Sequence, residues 1–254
     1  MVNTNLSLVI PCYNEGAKLI NNINRIRDYM RCNNIGCNYE IIIVNDGSKD
    51  DTLSICKDLE KQIDNVHIVT YENNRGKGYA VKEGIKHSKG EYVIFMDADL
   101  STDLTAIKDS LKELKKYSVV VGSRRHKNSN LIKKQGILRR FIGKSCSILT
   151  NLIIPLHLPD TQCGFKCFNG DIARELVKYQ TLDGFSFDVE LLYIAKLNGY
   201  TIGEIPVIWE NDDDSKVSIL NSSLKFFIDL FKIRLKKSKY IFEQNQVEHS
   251  PTLV

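Results

Sequence analysis

Five short runs of apolar, mostly β-branched residues constrain this chain more than any other feature. They fall at 6–10 (LSLVI), 39–44 (YEIIIV), 66–70 (VHIVT), 91–96 (EYVIFM) and 118–122 (SVVVG), and such runs read as strands. Three of them are apolar at nearly consecutive positions, as expected when helices cover both faces of a sheet. Between them lie helical patterns near 17–31, 50–63, 77–88 and 104–116. Asp50 and Asp51 suit a helix start, and Gly90 suits a stop. This β-α alternation predicts an α/β domain with a mostly parallel, doubly wound sheet and flanking helices. In such sheets ligands bind beyond the carboxyl ends of the strands, so the loops there carry the functional information.

The chain has 254 residues, 43% of them hydrophobic, enough to bury a full core. We expect one catalytic domain over 1–240, with a donor half (1–123), an acceptor half (124–216) and an amphipathic C-terminal helix (217–240), followed by a polar tail at 241–254. Basic and acidic side chains number 35 and 31, for a net charge of +4, which does not point to nucleic acid. Seven cysteines lie at 12, 32, 37, 56, 146, 163 and 167 without a paired Cys-x-x-Cys spacing for zinc. No secretory pattern opens the chain, and Lys144, Pro155 and His157 interrupt the best apolar stretch. A cytoplasmic protein in peripheral contact with the cytoplasmic face of a membrane is the expectation.

Four loops are unusually polar. Pro11-Cys12-Tyr13-Asn14-Glu15 follows the first strand and Asn45-Asp46-Gly47-Ser48 the second. Tyr13 can stack on a nucleobase and the Asp46 carboxylate can accept hydrogens from uracil or guanine, although Pro, Asn and Asp-Gly also simply make turns. The third loop, Asn73-Asn74-Arg75-Gly76-Lys77-Gly78, opens a helix. Its glycines, two cations and helix N-terminus suit an anion, and it lacks the Walker spacing of an ATPase. The fourth is Met96-Asp97-Ala98-Asp99-Leu100-Ser101. Two carboxylates one residue apart at a strand end suit Mg²⁺ or Mn²⁺ held against a diphosphate. A helix cap is the plainer use of such a pair, but it leaves the other three loops without a reason.

In this order and at these strand ends, PCYNE, VNDGS, NRGKG and MDADLS resemble glycosyltransferase family 2 with its GT-A fold. Gly122-Ser123-Arg124, Asp160-Thr161-Gln162-Cys163-Gly164-Phe165-Lys166, Phe187-Asp188-Val189-Glu190-Leu191 and Ile205-Pro206-Val207-Ile208-Trp209 look like its branch of dolichyl-phosphate glucosyl- and mannosyltransferases. The likeness spans about residues 6 to 240. It implies an inverting, metal-assisted enzyme in which Pro11, Tyr13, Glu15, Val44 and Asp46 hold the nucleoside. Asp97, Ala98 and Asp99 would meet the ribose and the metal-diphosphate, Arg124 the phosphates, and Lys216 the nucleotide end. Arg75, Lys77 and Gly78 would complete the donor site. The chain departs from the branch at Asp214, where Gly is frequent, and at Ser101, where mannosyl relatives often carry Gln.

From Leu114 to Pro159 there are ten Lys or Arg residues and not one Asp or Glu. Arg124, Arg125, Lys133, Lys134, Arg139, Arg140 and Lys144 lead into the apolar SILTNLIIPLHL, a pairing that suits a lipid phosphate. Arg124, Arg139, Arg140, Lys144 and Lys166 are the candidate contacts to an acceptor phosphate. From Leu220 to Lys236, Lys225, Asp229, Lys232 and Lys236 share one helical face while Leu220, Leu224, Phe227, Phe231 and Leu235 share another. The aromatic stripe is expected to pack on the core, leaving the basic one in solvent. Trp209 reads as structural.

The leading expectation is transfer of a hexose, glucose favoured, from a nucleotide sugar to a polyprenyl phosphate of dolichyl or undecaprenyl type. A phosphate monoester, with a second pKa near ~6, needs no strong base. The alternative is a glycan or glycolipid hydroxyl as acceptor, which needs a base such as Asp188, although a carboxylate at a helix start is an equal explanation for that residue. A noncatalytic nucleotide-sugar-binding module is a third possibility.

Overall fold

The computed structural model describes residues 5–35, 38–132, 147–210 and 219–242, with side chains from 224 onward in the last segment. Strands β1 (Leu6–Cys12), β2 (Tyr39–Asp46), β3 (Val66–Tyr71), β4 (Tyr92–Met96), β5 (Val119–Ser123), β7 (Phe165–Asn169) and β8 (Ile202–Pro206) form one sheet in the order β3-β2-β1-β4-β7-β5-β8. All its pairings are parallel except those of β7, which runs antiparallel between β4 and β5. A two-stranded ribbon joins β6 (Asn130–Leu131) to β9 (Ile208–Trp209). The mostly parallel α/β sheet expected from the apolar runs is therefore present, each predicted strand lying within two residues of its place.

Successive side chains of a strand point to opposite faces, and here both faces are dry. Leu6, Leu8 and Ile10 enter one core layer, while Val9, Ile42 and Val44 enter the other. Helix α1 (Gly16–Cys32) turns Leu19, Ile23, Ile26 and Met30 into the first layer, the i, i+4, i+7, i+11 spacing of one helical face. Helices α2 (Thr52–Gln62) and α4 (Thr105–Glu113) join it there through Cys56, Leu59 and Ile107. Helix α3 (Lys77–His87) covers the other face through Ala80, Val81 and Ile85.

Helices α5 (Gly170–Tyr179), α6 (Phe187–Leu197) and α7 (Ile219–Leu235) complete that second layer. Asn169 starts α5 by accepting hydrogen bonds from the N–H groups of Asp171 and Ile172, two donors that the helix itself leaves free. Helix α6 is apolar nearly all round because it lies between the sheet and the C-terminal segment, and its first nine residues are buried. Truncating one of these core side chains to Ala would cost ~2–5 kcal/mol.

Helix α7 corrects an expectation. Phe226, Leu230 and Ile233 face the core with at most 6% exposure, whereas Leu224, Ile228, Phe231 and Leu235 stand 66%, 49%, 58% and 84% exposed. Of the predicted core stripe, Leu224, Phe231 and Leu235 thus face outward and Phe227 is partly buried. The helix carries more apolar residues than one face can hold, so the sequence pattern had two solutions.

Candidate active site

Because β1 to β5 and β8 run the same way and β7 begins where they end, seven strand ends deliver their loops to one edge of the sheet. Residues 13–15, 46–48, 72–77, 97–101, 124, 160–164 and 207–209 meet there. A cavity of about 620 Å³ lies elsewhere, near Asn5, Tyr39 and Asn65 at the amino ends of the strands. Parallel sheets bind ligands at the other edge, and the carboxylates lie there too.

The first two loops lock together. Asn14, at φ 56°, donates its N–H to Ser48 Oγ, and its Oδ1 accepts from the Lys49 N–H at 2.8 Å. The Glu15 N–H donates to Thr52 Oγ1. The Tyr13 ring stands 43% exposed, open for stacking. Val44 is fully buried, so only its backbone could meet a nucleoside.

Asp46 is already engaged by its own neighbourhood. Its carboxylate accepts hydrogen bonds from the Arg75 and Gly76 N–H groups at 2.8 and 2.9 Å and from Asn74 Nδ2 at 2.8 Å. About three of its roughly four lone-pair sites are thereby filled. Asp46 shapes the third loop before any base arrives. Gly76 is required there for two reasons, since its φ is 104° and a Cβ would sit 2.6 Å from the Asp183 carbonyl oxygen. Arg75 lies over the Tyr79 ring at 3.6 Å and pairs with Asp183 at 3.2 Å.

Lys77, the first residue of α3, puts Nζ 2.5 Å from Asp97 Oδ1. The Asp97 N–H donates to the Gly164 carbonyl, and a Cβ on residue 164 would come within 1.9 Å of Asp97 Oδ2. Only glycine leaves room for that carboxylate. Asn22 of α1 donates to the Ala98 carbonyl at 2.7 Å, and Asp99 Oδ1 accepts from the Ser101 N–H at 2.9 Å. Leu100 has a φ of 52°, a strained value for a leucine and of a kind that collects at functional loops. Burial, and then the neighbouring Asp97 charge, raise the Asp99 pKa.

Arg124 follows β5 and is clamped by Asp160. Nε and Nη2 donate to the two carboxylate oxygens at 2.7 and 2.9 Å, and the Arg124 N–H adds a third bond at 2.9 Å. Burial alone would raise the Asp160 pKa, but the guanidinium charge and these bonds hold it down at about 2. Burial by itself would weaken the Arg124 charge, yet Asp160 pushes its pKa up, with a smaller push from Asp97. The guanidinium lies 5.7 Å from the Trp209 ring centroid. Trp209 in turn bridges Thr102 in antiparallel fashion, so β9 fastens the far end of the two-carboxylate loop.

Beneath these groups Lys166 and Asp188 form a buried pair, with Lys166 Nζ 2.5 Å from Asp188 Oδ1 and 2.8 Å from the Cys163 carbonyl oxygen. Lys166 has no exposed surface, which corrects its expected place among acceptor-phosphate contacts. Asp188 is likewise enclosed; burial raises its pKa even though Lys166 and Lys77 pull it down. Arg139, Arg140, Lys144 and Lys216 lie outside the described residues.

Two supporting carboxylates carried no role in the sequence reading. One is Asp160, and the other is Glu190. Glu190 is fully buried and accepts from the Thr181 and Leu182 N–H groups, from Thr181 Oγ1 at 2.6 Å and from the Tyr240 hydroxyl at 2.6 Å. It thereby fixes the 180–186 loop, where the Asp183 carbonyl accepts from the Tyr79 N–H and Gln180 Nε2 donates to the Gly78 carbonyl. Their buried-motif positions, Asp160 before Thr-Gln-Cys-Gly and Glu190 two after Asp188, were the available signals.

The five described cysteines are all free. Burial pushes the thiols of Cys56, Cys163 and Cys167 up to about 12, 11 and 12, far from the range of a reactive thiolate. No described helix is long and apolar enough to cross a membrane.

Residues 7–177 match the family model for glycosyl transferase family 2. A dolichyl-phosphate beta-glucosyltransferase from Dictyostelium discoideum is 34% identical over 245 residues, covering 92% of this chain and 75% of that protein. The enzyme of that name from Saccharomyces cerevisiae is also 34% identical, covering 95% and 77%, and the one from Homo sapiens is 33% identical, covering 91% and 75%. Among solved structures, mannosyl-3-phosphoglycerate synthase from Rubrobacter xylanophilus superimposes with a TM-score of 0.67 at 16% identity, over 99% of this chain and 79% of the other. Glucosyl-3-phosphoglycerate synthase from Mycobacterium tuberculosis, solved with Mn²⁺, uridine diphosphate and its product, gives 0.60 at 16% identity over 95% and 82%. The GT-A fold expected from the four loops is thus the fold observed, and with a third of its residues shared over nine-tenths of its own length and about three quarters of such enzymes, the chain belongs to glycosyltransferase family 2.

Proposed function

We propose that this protein moves glucose from a nucleoside diphosphate sugar to a polyprenyl phosphate at a membrane surface, inverting the anomeric carbon. The names of its relatives supply the sugar and the class of acceptor. The observation that carries the reading is the pair Asp97 and Asp99, set between the cations Lys77 and Arg124.

The residues there fit a divalent ion. Oxygen ligands suit Mg²⁺ and Mn²⁺, and two carboxylates one residue apart face a single paired cation, Lys77 on Asp97, while burial and then the Asp97 charge raise the Asp99 pKa. Asp97 and Asp99 would hold the ion, and the chemistry it supplies when bound is neutralisation of charge on the departing nucleoside diphosphate. Tyr13 offers its ring to the base, with Pro11, Glu15 and the Val44 backbone around the nucleoside. The Ala98 backbone lies at the ribose, and the Lys77 and Gly78 N–H groups at the start of α3 face the diphosphate, those of Gly76 and Tyr79 being taken by Asp46 and the Asp183 carbonyl. Arg124, held by Asp160, stabilises the charge that develops as the sugar–phosphate bond breaks.

An acceptor phosphate oxygen attacks the anomeric carbon as the bond to the β-phosphate oxygen breaks, giving a polyprenyl phosphosugar and a nucleoside diphosphate. No proton has to leave the nucleophile, because a phosphate monoester is largely ionised at neutral pH. The enclosure of Asp188 with Lys166 supports this acceptor over a hydroxyl. A general base must reach the proton it removes, and Asp188 is 4% exposed and already bonded.

Radiolabelled transfer from UDP-glucose and GDP-sugars to short polyprenyl phosphates, with and without Mn²⁺ or Mg²⁺, tests the reading. We expect extractable lipid-linked label that depends on the ion. Absence of transfer from every common donor overturns it.

A further inference from the structure

Helix α7 is amphipathic twice over. At 100° per residue, Phe226, Leu230 and Ile233 lie on the core side, and Leu224, Ile228, Phe231 and Leu235 fall in a stripe opposite them, at i, i+4, i+7 and i+11. A helix serving only the fold needs one apolar face. A continuous exposed row of three aliphatic side chains and a phenylalanine marks a contact surface.

The charges around the stripe select what meets it. Lys225 and Lys232 flank one side and Arg234 the other, and Lys236, Lys237 and Lys239 follow directly. The one acid in α7, Asp229, is turned inward, where it accepts from Ser186 Oγ and pairs with Lys232 at 3.0 Å. Docking two copies of this face on each other would set lysines against lysines. An anionic, apolar counterpart satisfies both the stripe and its rim.

The stretch 147–153 adds to the same side of the sheet. With Ile154 just after it, it packs through Ile153 into the core layer that receives the inner face of α7, and it leaves Ile148 and Leu152 exposed.

We propose that the outer face of α7 docks on an anionic lipid bilayer, with the helix lying in the interface plane. Its 17 residues span about 25 Å of that plane. The inference takes its place in the reaction from the lipid-acceptor reading, and its binding test needs no turnover.

The test is flotation of the full chain with vesicles of phosphatidylcholine alone and of phosphatidylcholine mixed with phosphatidylglycerol, at low and high salt. Wild type is compared with a triple variant, Leu224→Ser, Phe231→Ser and Leu235→Ser, whose sites are exposed, and folding is checked by thermal melting. We expect wild type to float with the anionic vesicles and to lose binding severalfold at high salt. The triple variant should bind at least about tenfold more weakly, with an unchanged melt. Both proteins should transfer sugar equally to a short, water-soluble polyprenyl phosphate without vesicles. Equal binding of the two proteins, no preference for anionic vesicles, or a wild-type dimer abolished by the triple variant overturns the docking. Absence of transfer in both proteins strikes the proposed reaction and leaves the docking result standing.

Discussion

Asp160→Asn isolates one ion pair at the heart of the site. The carboxylate is 3% exposed and accepts two bonds from the Arg124 guanidinium and one from its backbone. Holding it at about 2 instead of the ordinary 3.8 stabilises the fold by about 2 kcal/mol at neutral pH. For a chain of this size each kcal/mol shifts the melting temperature by roughly 2–4 °C, so the variant should melt about 4–8 °C lower. The sign follows from a folded pKa below the unfolded one. The stabilisation is complete above about 3.8 and lost as pH falls through about 2. Near pH 3 about half of it should be gone. Urea titrations at pH 7, 4 and 3 therefore give a wild-type-minus-variant gap that narrows with acid. A displaced Arg124 should also slow sugar transfer roughly ten- to hundredfold, since small misplacements of catalytic groups cost on that scale, with less effect on donor affinity. A gap that stays constant from pH 7 to pH 3, or transfer at the wild-type rate, would refute the reasoning.

Four further outcomes follow from the same geometry. Neutralising Asp97 or Asp99 to Asn should lower transfer by ~10²–10³-fold and weaken nucleotide-sugar binding in Mn²⁺, which calorimetry reads; unchanged turnover would exclude the ion-holding role. Lys77→Met removes the cation that occupies Asp97 Oδ1, so Mn²⁺ binding without nucleotide, followed by electron paramagnetic resonance, should tighten severalfold while donor binding weakens. Gly164→Ala places a methyl 1.9 Å from Asp97 Oδ2 and should abolish transfer while far-ultraviolet circular dichroism stays native. Lys166→Met strands Asp188 in the interior and should cost ~3–5 kcal/mol in urea, much of it recovered by adding Asp188→Leu; a near-neutral single variant would contradict the pair.

The donor half was legible because its information is local. Each strand there is an apolar run, each functional loop follows a strand directly, and a parallel sheet gathers strand ends without further instruction. The other half depends on partners distant in the chain. Lys166 reads as a surface cation until Asp188, 22 residues on, neutralises it in the core, and Asp160 gains its role only from Arg124, 36 residues earlier. Strand β7 escaped recognition for the same reason, since a lysine at its second position breaks the apolar pattern. Asp46 was read as a ligand for a base because a free carboxylate after a strand can be one; that Arg75 and Gly76 turn their N–H groups onto it is a property of the folded loop. In α7 the stripe of Leu224, Phe231 and Leu235 was expected at the core, and Phe226, Leu230 and Ile233 take that place, because a helix with two apolar stripes does not say which one meets the core.

Charge alternates through the site. Asp160 binds Arg124, Arg124 feels Asp97, Asp97 binds Lys77, Lys77 feels Asp188, and Asp188 binds Lys166. Each of these three cations is matched by one carboxylate, which keeps the cost of burying them tolerable. Asp99 stands beside this row without a cation of its own among the described residues, and burial, followed by the Asp97 charge, raises its pKa. A divalent ion would therefore bring one positive charge more than Asp99 needs, and a diphosphate would bring the negative charge that the excess calls for. Metal and donor then bind better together than either does alone, an interdependence measurable as the factor by which Mn²⁺ tightens UDP-glucose and, by linkage, the same factor in reverse.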